Sequence, residues 1–261
     1  MNISLKNKNA LVGGSSGGIG KAIAQQLAES GANVTLMARS EAKLKQIVSE
    51  LASDQGQQHQ YLVVDFSDFE HYKQVISDYF EKNTIDILVN NTQGPSAGNT
   101  LEKKVSDYQE AFDLLFKTVV FTTELALKQM QKNKWGRIIN VASVSVKEPL
   151  SYLALSNTIR AAVVTWAKSL ATDVGKDGIT VNSVLTGYFD TDRIAQLNAK
   201  KASQLGIKQE KVLADMESKV PVQRIGDPME YGYLVSFLAS EKAAYITGTQ
   251  IPIDGGLLKS L

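Results

Sequence analysis

The stretch NALVGGSSGGIGKAIAQQLAESG (residues 9–31) decides how the rest of the chain is read. Residues 9–14 form a short, nearly all-apolar run, and from about Gly18 to Ser30 apolar residues recur at helical spacing. Three glycines, Gly14, Gly18 and Gly20, sit between the two. A strand that turns tightly into a helix brings the backbone close to any ligand at that point. The first turn of the helix then offers amide N–H groups with no partner in the helix, which suits a pyrophosphate. Ser15 and Ser16 add hydroxyl donors, and Ile19 lies within the same turn. The spacing is G-x-x-x-G-x-G rather than the commoner G-x-G-x-x-G, but it stands where a dinucleotide turn must stand, after a strand and opening a helix.

Outward from this turn the same alternation continues. Strands are expected at ANVTLMA (32–38), QYLVVDF (60–66), DILVNN (86–91), GRIINVAS (136–143), GITVNSVL (178–185) and QIPID (250–254). Helices are expected at 41–53, at 69–83, from about Ser106 to Lys132, and over LALSNTIRAAVVTWAKSLA (153–171). Apolar strands separated by helices of this length imply a parallel sheet with right-handed crossovers and helices on both faces. No Pro/Gly/Ser-rich linker divides the chain, so residues 1–261 are read as one domain. The charged, irregular segment from about Asp190 to Val220 reads as an excursion over the sheet that lids a substrate site.

Composition narrows the possibilities. The 261 residues are 43% hydrophobic and 21% charged, with 28 basic and 27 acidic side chains and a formal net charge of +1. Nothing here marks a nucleic-acid or anionic-membrane surface. There is no cysteine, which excludes disulfides, thiolate catalysis and Cys-ligated zinc. The two histidines, His59 and His71, lie in polar segments without metal-ligand spacing and read as surface residues, so no metal is expected. No secretory segment is recognised at the N-terminus, and a cytoplasmic location is expected.

The end of the second strand bears on which dinucleotide is bound. An acidic residue there would hold a ribose 2′-hydroxyl, as in NAD enzymes. This chain has Ala38 followed by Arg39. A guanidinium can fork onto a 2′-phosphate that a carboxylate would repel, so NADP is favoured, with NAD possible if Arg39 only stacks on the adenine.

With GGSSGGIG (13–20), VVDFSD (63–68), DILVNN (86–91), GRIINVASVS (136–145), GITVNSVLTGYFDTD (178–192) and ASEKAAYITGTQIPIDGGL (239–257) taken together, the chain resembles the short-chain dehydrogenase/reductases, notably those similar to β-ketoacyl-carrier-protein reductases. The resemblance covers nearly the full length. It implies a single doubly wound α/β domain of Rossmann type with a seven-stranded parallel sheet, and a homotetramer or homodimer with the closing DGG hairpin at a subunit interface. It also implies that Asp65, with Phe66 beside it, meets the adenine. Asn91 would lie beside the adenine ribose, and Thr191 would meet the nicotinamide amide.

Family enzymes work with an Asn, a Ser and a Tyr-x-x-x-Lys pair, and here this chain departs. Ser143 stands at the serine position. Counting thirteen residues on gives Ser156 where the tyrosine is expected, Arg160 where the lysine is expected, and Leu115, within FDLLFK (112–117), at the Asn position. An aliphatic hydroxyl is a far weaker acid than a phenol, and a guanidinium keeps its proton. Ser143, Ser156 and Arg160 are therefore candidate catalytic residues with altered chemistry, and Arg160 also a candidate for holding ribose. Against this stands a plain solvent-facing Ser/Arg pair on an amphipathic helix. Tyr152, one turn upstream if the helix extends that far, and Tyr188 are positioned to supply a phenol instead.

Three functions follow from this reading. The first is an NADP-dependent reductase or dehydrogenase acting on a small-molecule or acyl-type carbonyl through a non-standard proton relay. The second is a nucleotide-binding sensor or partner subunit without turnover. The third is a different reaction, such as dehydration or isomerisation, on the same scaffold.

Overall fold

A computed structural model describes residues 2–260. The chain alternates as its pattern requires: β1 (Asn9–Gly13), α1 (Gly18–Glu29), β2 (Asn33–Ala38), α2 (Glu41–Glu50), β3 (Gln60–Val63), α3 (Phe69–Lys82) and β4 (Ile87–Asn90). The second half adds α4 (Val105–Phe112), α5 (Thr118–Asn133), β5 (Gly136–Val141), α6 (Ala154–Val174) and β6 (Ile179–Thr186). It ends with α7 (Asp192–Leu205), α8 (Gln209–Glu217), α9 (Pro228–Ala239) and β7 (Gln250–Ile253). The seven strands form one parallel sheet in the order β3-β2-β1-β4-β5-β6-β7. This is the doubly wound Rossmann-type architecture expected from the sequence.

Although both faces of the sheet are apolar, the two-residue period of a strand still sorts side chains between them. Ala10, Val12, Val34, Leu36, Ile87, Val89 and Ile139 pack with Ile23 and Leu27 of α1, Leu44 of α2, and Tyr231 and Val235 of α9. Leu11, Met37, Leu88, Ile138 and Val181 face the other way, toward Tyr72 and Ile76 of α3, Met130 of α5 and Ile159 of α6. The order of the strands reverses between β1 and β4, and such a switch point opens a crevice at the carboxyl ends of the strands. The opposite edge of the sheet is closed. There the Arg137 guanidinium is buried against the carbonyls of Gly136 (2.8 Å), Gly178 (3.2 Å) and Ser240 (3.3 Å).

Several expectations are corrected. β3 ends at Val63 instead of Phe66, because the Asp65 carboxylate turns back to accept from the Ser67 N–H (2.9 Å) and hydroxyl (2.6 Å). The long helix expected over 106–132 is interrupted by a π-helical turn, Asp113–Lys117. The segment from Asp190 to Val220 is not irregular; it folds into α7 and α8. It runs on to residue 225, since Asp190 N–H donates to the Gly226 carbonyl (2.9 Å) and Gly226 N–H to that of Tyr188 (2.8 Å). Helix α9 was not anticipated. His59 is half-buried and structural: its Nδ1 accepts from Val34 N–H (3.1 Å) and its Nε2 lies 2.8 Å from the Ala52 carbonyl.

Candidate functional site

A cleft of about 590 Å³ opens along the carboxyl ends of β1, β4, β5 and β6, beneath α7. That volume lies within the range of small-molecule and cofactor sites. At its centre is the glycine turn. Gly14 takes φ +56°, a conformation costly for any residue with a Cβ. At Gly20 a Cβ would stand 2.2 Å from the Gly14 carbonyl oxygen, so α1 can start this close to β1 only with glycine there. The Asn91 side chain reaches across the switch point and donates to the carbonyl of Gly13 (2.9 Å), and more weakly to that of Gly14 (3.4 Å). No side chain caps α1 and no carboxylate lies in its first turn, so its amide donors are left for an anion. Gly14, Ser16, Gly18, Ile19 and Gly20 all line the cleft.

Ser15 does not. It is fully buried: its hydroxyl donates to the Val12 carbonyl (3.0 Å) and accepts from the Met37 N–H (2.9 Å), and its own N–H donates to Met37 (3.2 Å). Both donors are spent pinning the turn to β2, which corrects the expectation that Ser15 offers a hydroxyl to ligand.

At one end of the cleft stands Arg39, as expected, joined by Lys43 from the first turn of α2. Lys43 was not singled out from the sequence, though it lies four residues beyond Arg39 across a Ser40 cap. Asp65 lies outside the cleft wall. The Ser67 hydroxyl and N–H, then the nearby Arg39 charge, hold its carboxyl below the usual carboxylate range. The Phe66 side chain is a core residue stacked beside Tyr72, with ring centroids 5.2 Å apart, so its expected ligand role is not one of side-chain contact.

The other end gathers Ser143, Ser156 and Arg160. Ser143 follows β5 and its hydroxyl accepts from Ser145 N–H (3.1 Å). Ser156 is only 9% exposed and lies on α6 facing the cleft, which removes the reading of a solvent-facing pair. Arg160, one turn further along, is half-buried, and its Nη1 donates to the Val141 carbonyl at the end of β5. Burial pushes its guanidinium below the ordinary value; the Tyr231 phenol opposes this and the charge of Arg193 adds to it. Leu115 is 2% exposed and packs in the core with Leu155 and Ile159, so the π turn persists with an apolar residue at its centre.

Thr191 lines the cleft, caps α7 by accepting from Ile194 N–H (3.4 Å), and places its methyl within contact range of Gly18. Tyr152 precedes α6 instead of lying on it, and neither Tyr152 nor Tyr188 lines the cleft. Burial raises the Tyr152 phenol to about 12, with the Tyr188 hydroxyl adding to the effect. Gln93, Gly94 and Pro95 from the loop after β4, and Arg193 from the expected lid segment, also line the cleft, though none was singled out as a ligand from the sequence.

With this geometry in view, the comparisons with known proteins are consistent. Residues 14–258 match the family described as enoyl-(acyl carrier protein) reductase. The chain belongs to the short-chain dehydrogenase/reductase family. It is 37% identical to the oxidoreductase UcpA of Salmonella typhimurium, covering 97% of this chain and 95% of that protein. It is 36% identical to the 3-oxoacyl-[acyl-carrier-protein] reductase FabG of Vibrio cholerae, over 98% of this chain and 99% of that one. Among solved structures, the L-sorbose reductase of Gluconobacter frateurii, complexed with NADPH and L-sorbose, superposes with a TM-score of 0.92. It shares 30% identity, and all of both chains is covered. Among the described residues no helix is long and apolar enough to cross a membrane.

Proposed function

We propose that this chain is an NADP-dependent reductase or dehydrogenase of a small-molecule or acyl-type carbonyl that works without a phenol as its proton donor. One observation carries the reading. A single continuous cleft joins the glycine turn and the Arg39–Lys43 cations at one end to two hydroxyls and a guanidinium at the other. The residues suit the cofactor: α1 offers free amides for a pyrophosphate, Asn91 holds the turn open, and Arg39 with Lys43 suits a 2′-phosphate. Asn91, Thr191 and Arg160 line the same cleft and would hold its ribose and amide groups.

When bound, the nicotinamide supplies hydride to the carbonyl carbon. The chain orients the substrate oxygen with the Ser143 and Ser156 hydroxyls, and Arg160 places fixed positive charge beside the oxygen as it becomes anionic. Arg160 does not give up its proton. The proton that completes the alcohol comes from solvent, which enters where relatives carry the tyrosine ring. A missing general acid costs roughly 10²–10⁴-fold, which leaves a slow enzyme rather than none. Tyr152 does not line the cleft, so no proton is routed through it.

The alternative, a nucleotide-binding sensor or partner subunit without turnover, draws on the same replacements at 115, 156 and 160. Two measurements separate the readings: NADPH binding followed by fluorescence, and NADPH oxidation at saturating ketone over a chemically varied panel. Binding with oxidation of at least one ketone supports the enzyme; binding with none supports the sensor; no binding removes both. The family resemblance supports a homotetramer or homodimer, which light scattering resolves.

A further inference from the structure

The cleft is lined by four cationic side chains, Arg39, Lys43, Arg160 and Arg193, against one carboxylate, Asp192. Among the described residues none of the four cations is ion-paired. The first three have work in the cofactor reading above, on which this inference rests. Arg39 and Lys43 stand at the 2′-phosphate end, the pyrophosphate is met by α1, and Arg160 is tied to the end of β5. Arg193 has no such task. It leaves the first turn of α7, crosses to the loop after β4, and donates from Nη2 to the Pro95 carbonyl (3.0 Å). Its guanidinium lies close to Gly94, where an added Cβ would be in van der Waals contact 3.7 Å from Nη2, and the residue is itself exposed. The charge of Arg193 is also felt at Arg160. Both guanidiniums line one cavity whose single carboxylate, Asp192, makes no ion pair with either, and an anion bound there is attracted by both.

We infer that the carbonyl substrate carries a carboxylate, and that Arg193 of the lid binds it while the carbonyl oxygen lies by Ser143 and Ser156. The anion could instead come from the cofactor's own pyrophosphate, so the test keeps the two sources apart. Pyruvate, acetoacetate and levulinate, and the methyl ester of each, are titrated calorimetrically into wild-type protein, with and without saturating NADP⁺. NADPH affinity is measured separately by fluorescence, and both series are repeated on Arg193→Met and Arg193→Lys. In the wild type at least one acid is expected to bind about tenfold or more tightly than its ester. Arg193→Met is expected to abolish that preference with NADPH affinity unchanged within about twofold, and Arg193→Lys to keep part of it. Equal binding of every acid and its ester in the wild type, or no binding of either, overturns the inference. So does an Arg193→Met protein whose NADPH affinity falls as far as its acid affinity, which would assign the guanidinium to the pyrophosphate. Loss of the cofactor reading has its own signature, a wild type that binds no NADPH, and the acid–ester comparison without cofactor still decides the carboxylate.

Discussion

Arg39 illustrates how far a single residue can be read. Its position after the second strand makes it a candidate phosphate ligand before any coordinates are known, and the structure sets it on the cleft wall. Arg39→Ala is expected to weaken NADPH by about 1.5–3 kcal/mol, the range for a hydrogen bond to a charged group, and to leave NADH nearly unchanged. Fluorescence titration of both coenzymes checks this, and equal losses would mean that Arg39 serves the adenine. The paired change Ser156→Tyr with Arg160→Lys restores a tunable phenol on the same helix face. Ketone reduction should then rise by roughly 10²–10⁴-fold if the pocket still presents its substrate. A flat rate in a folded, NADPH-binding variant would show that the pocket has changed more than its acid. Ser15 and Phe66 mark the limit of motif reading. A motif places a backbone at the ligand but does not say which way the side chain turns, and burial turned both of these inward. Lys43 and Arg193 were illegible for a related reason: each belongs to the site only through the folding together of separate elements.

At the scale of elements, strong alternation was legible and unusual composition was not. The strands and α1 follow hydrophobic period and glycine chemistry. Helix α9 escaped because apolar residues surround it, PMEYGYLVSFLA, leaving no period to detect, and its burial against α1 explains that composition. Helices α7 and α8 escaped for the opposite reason, being mostly polar on the surface that covers the cleft. The α1–α9 contact is close at Gly232, where a Cβ would stand 2.8 Å from the Ala22 carbonyl oxygen. Gly232→Ala is expected to cost about 1–3 kcal/mol by forcing the two helices apart, read as a lower urea midpoint with an unchanged slope.

The start of α9 is pH-sensitive. Glu230 closes a capping box with Asp227 and pairs with Arg224 at 2.7 and 2.8 Å, and these contacts, Arg224 first, pull its carboxyl down to about 2. A carboxyl depressed in the folded state contributes stability above its unfolded value near 4.5 and loses it as pH falls toward 2. Glu230→Gln should therefore destabilise by about 0.5–1 kcal/mol at pH 7, within the range of lost caps. Its melting curve should converge with wild type near pH 2.

For the molecule as a whole, the seven-stranded parallel sheet was legible throughout and its two helical layers were legible except at α9, because buried parallel strands and amphipathic helices obey few alternatives. The same two layers bury phenols. Burial raises Tyr72 and Tyr231 well above the ordinary phenol range, and raises Tyr79 as well. A group whose folded pKa exceeds its unfolded value contributes stability that is complete below the unfolded value, about 10 for tyrosine, and lost as pH climbs beyond it. Stability to urea should be nearly level from pH 8 to 9.5 and fall steeply between pH 10 and 12. Tyr72→Phe should blunt the fall, and a wild-type midpoint unaltered at pH 11.5 would contradict the assignment.

The two backbone bonds between residues 188–190 and Gly226 have a further consequence for motion. They clasp together the departing and returning ends of the α7–α8 excursion, at the base where it leaves the sheet. Opening of the excursion is thus confined to the residues between these two bonds, and its root stays fixed. In isotope-exchange experiments the amides of Asp190 and Gly226 should stay protected while those further out along the excursion exchange freely, so that admission of a molecule beneath it need not disturb the floor on which the coenzyme lies.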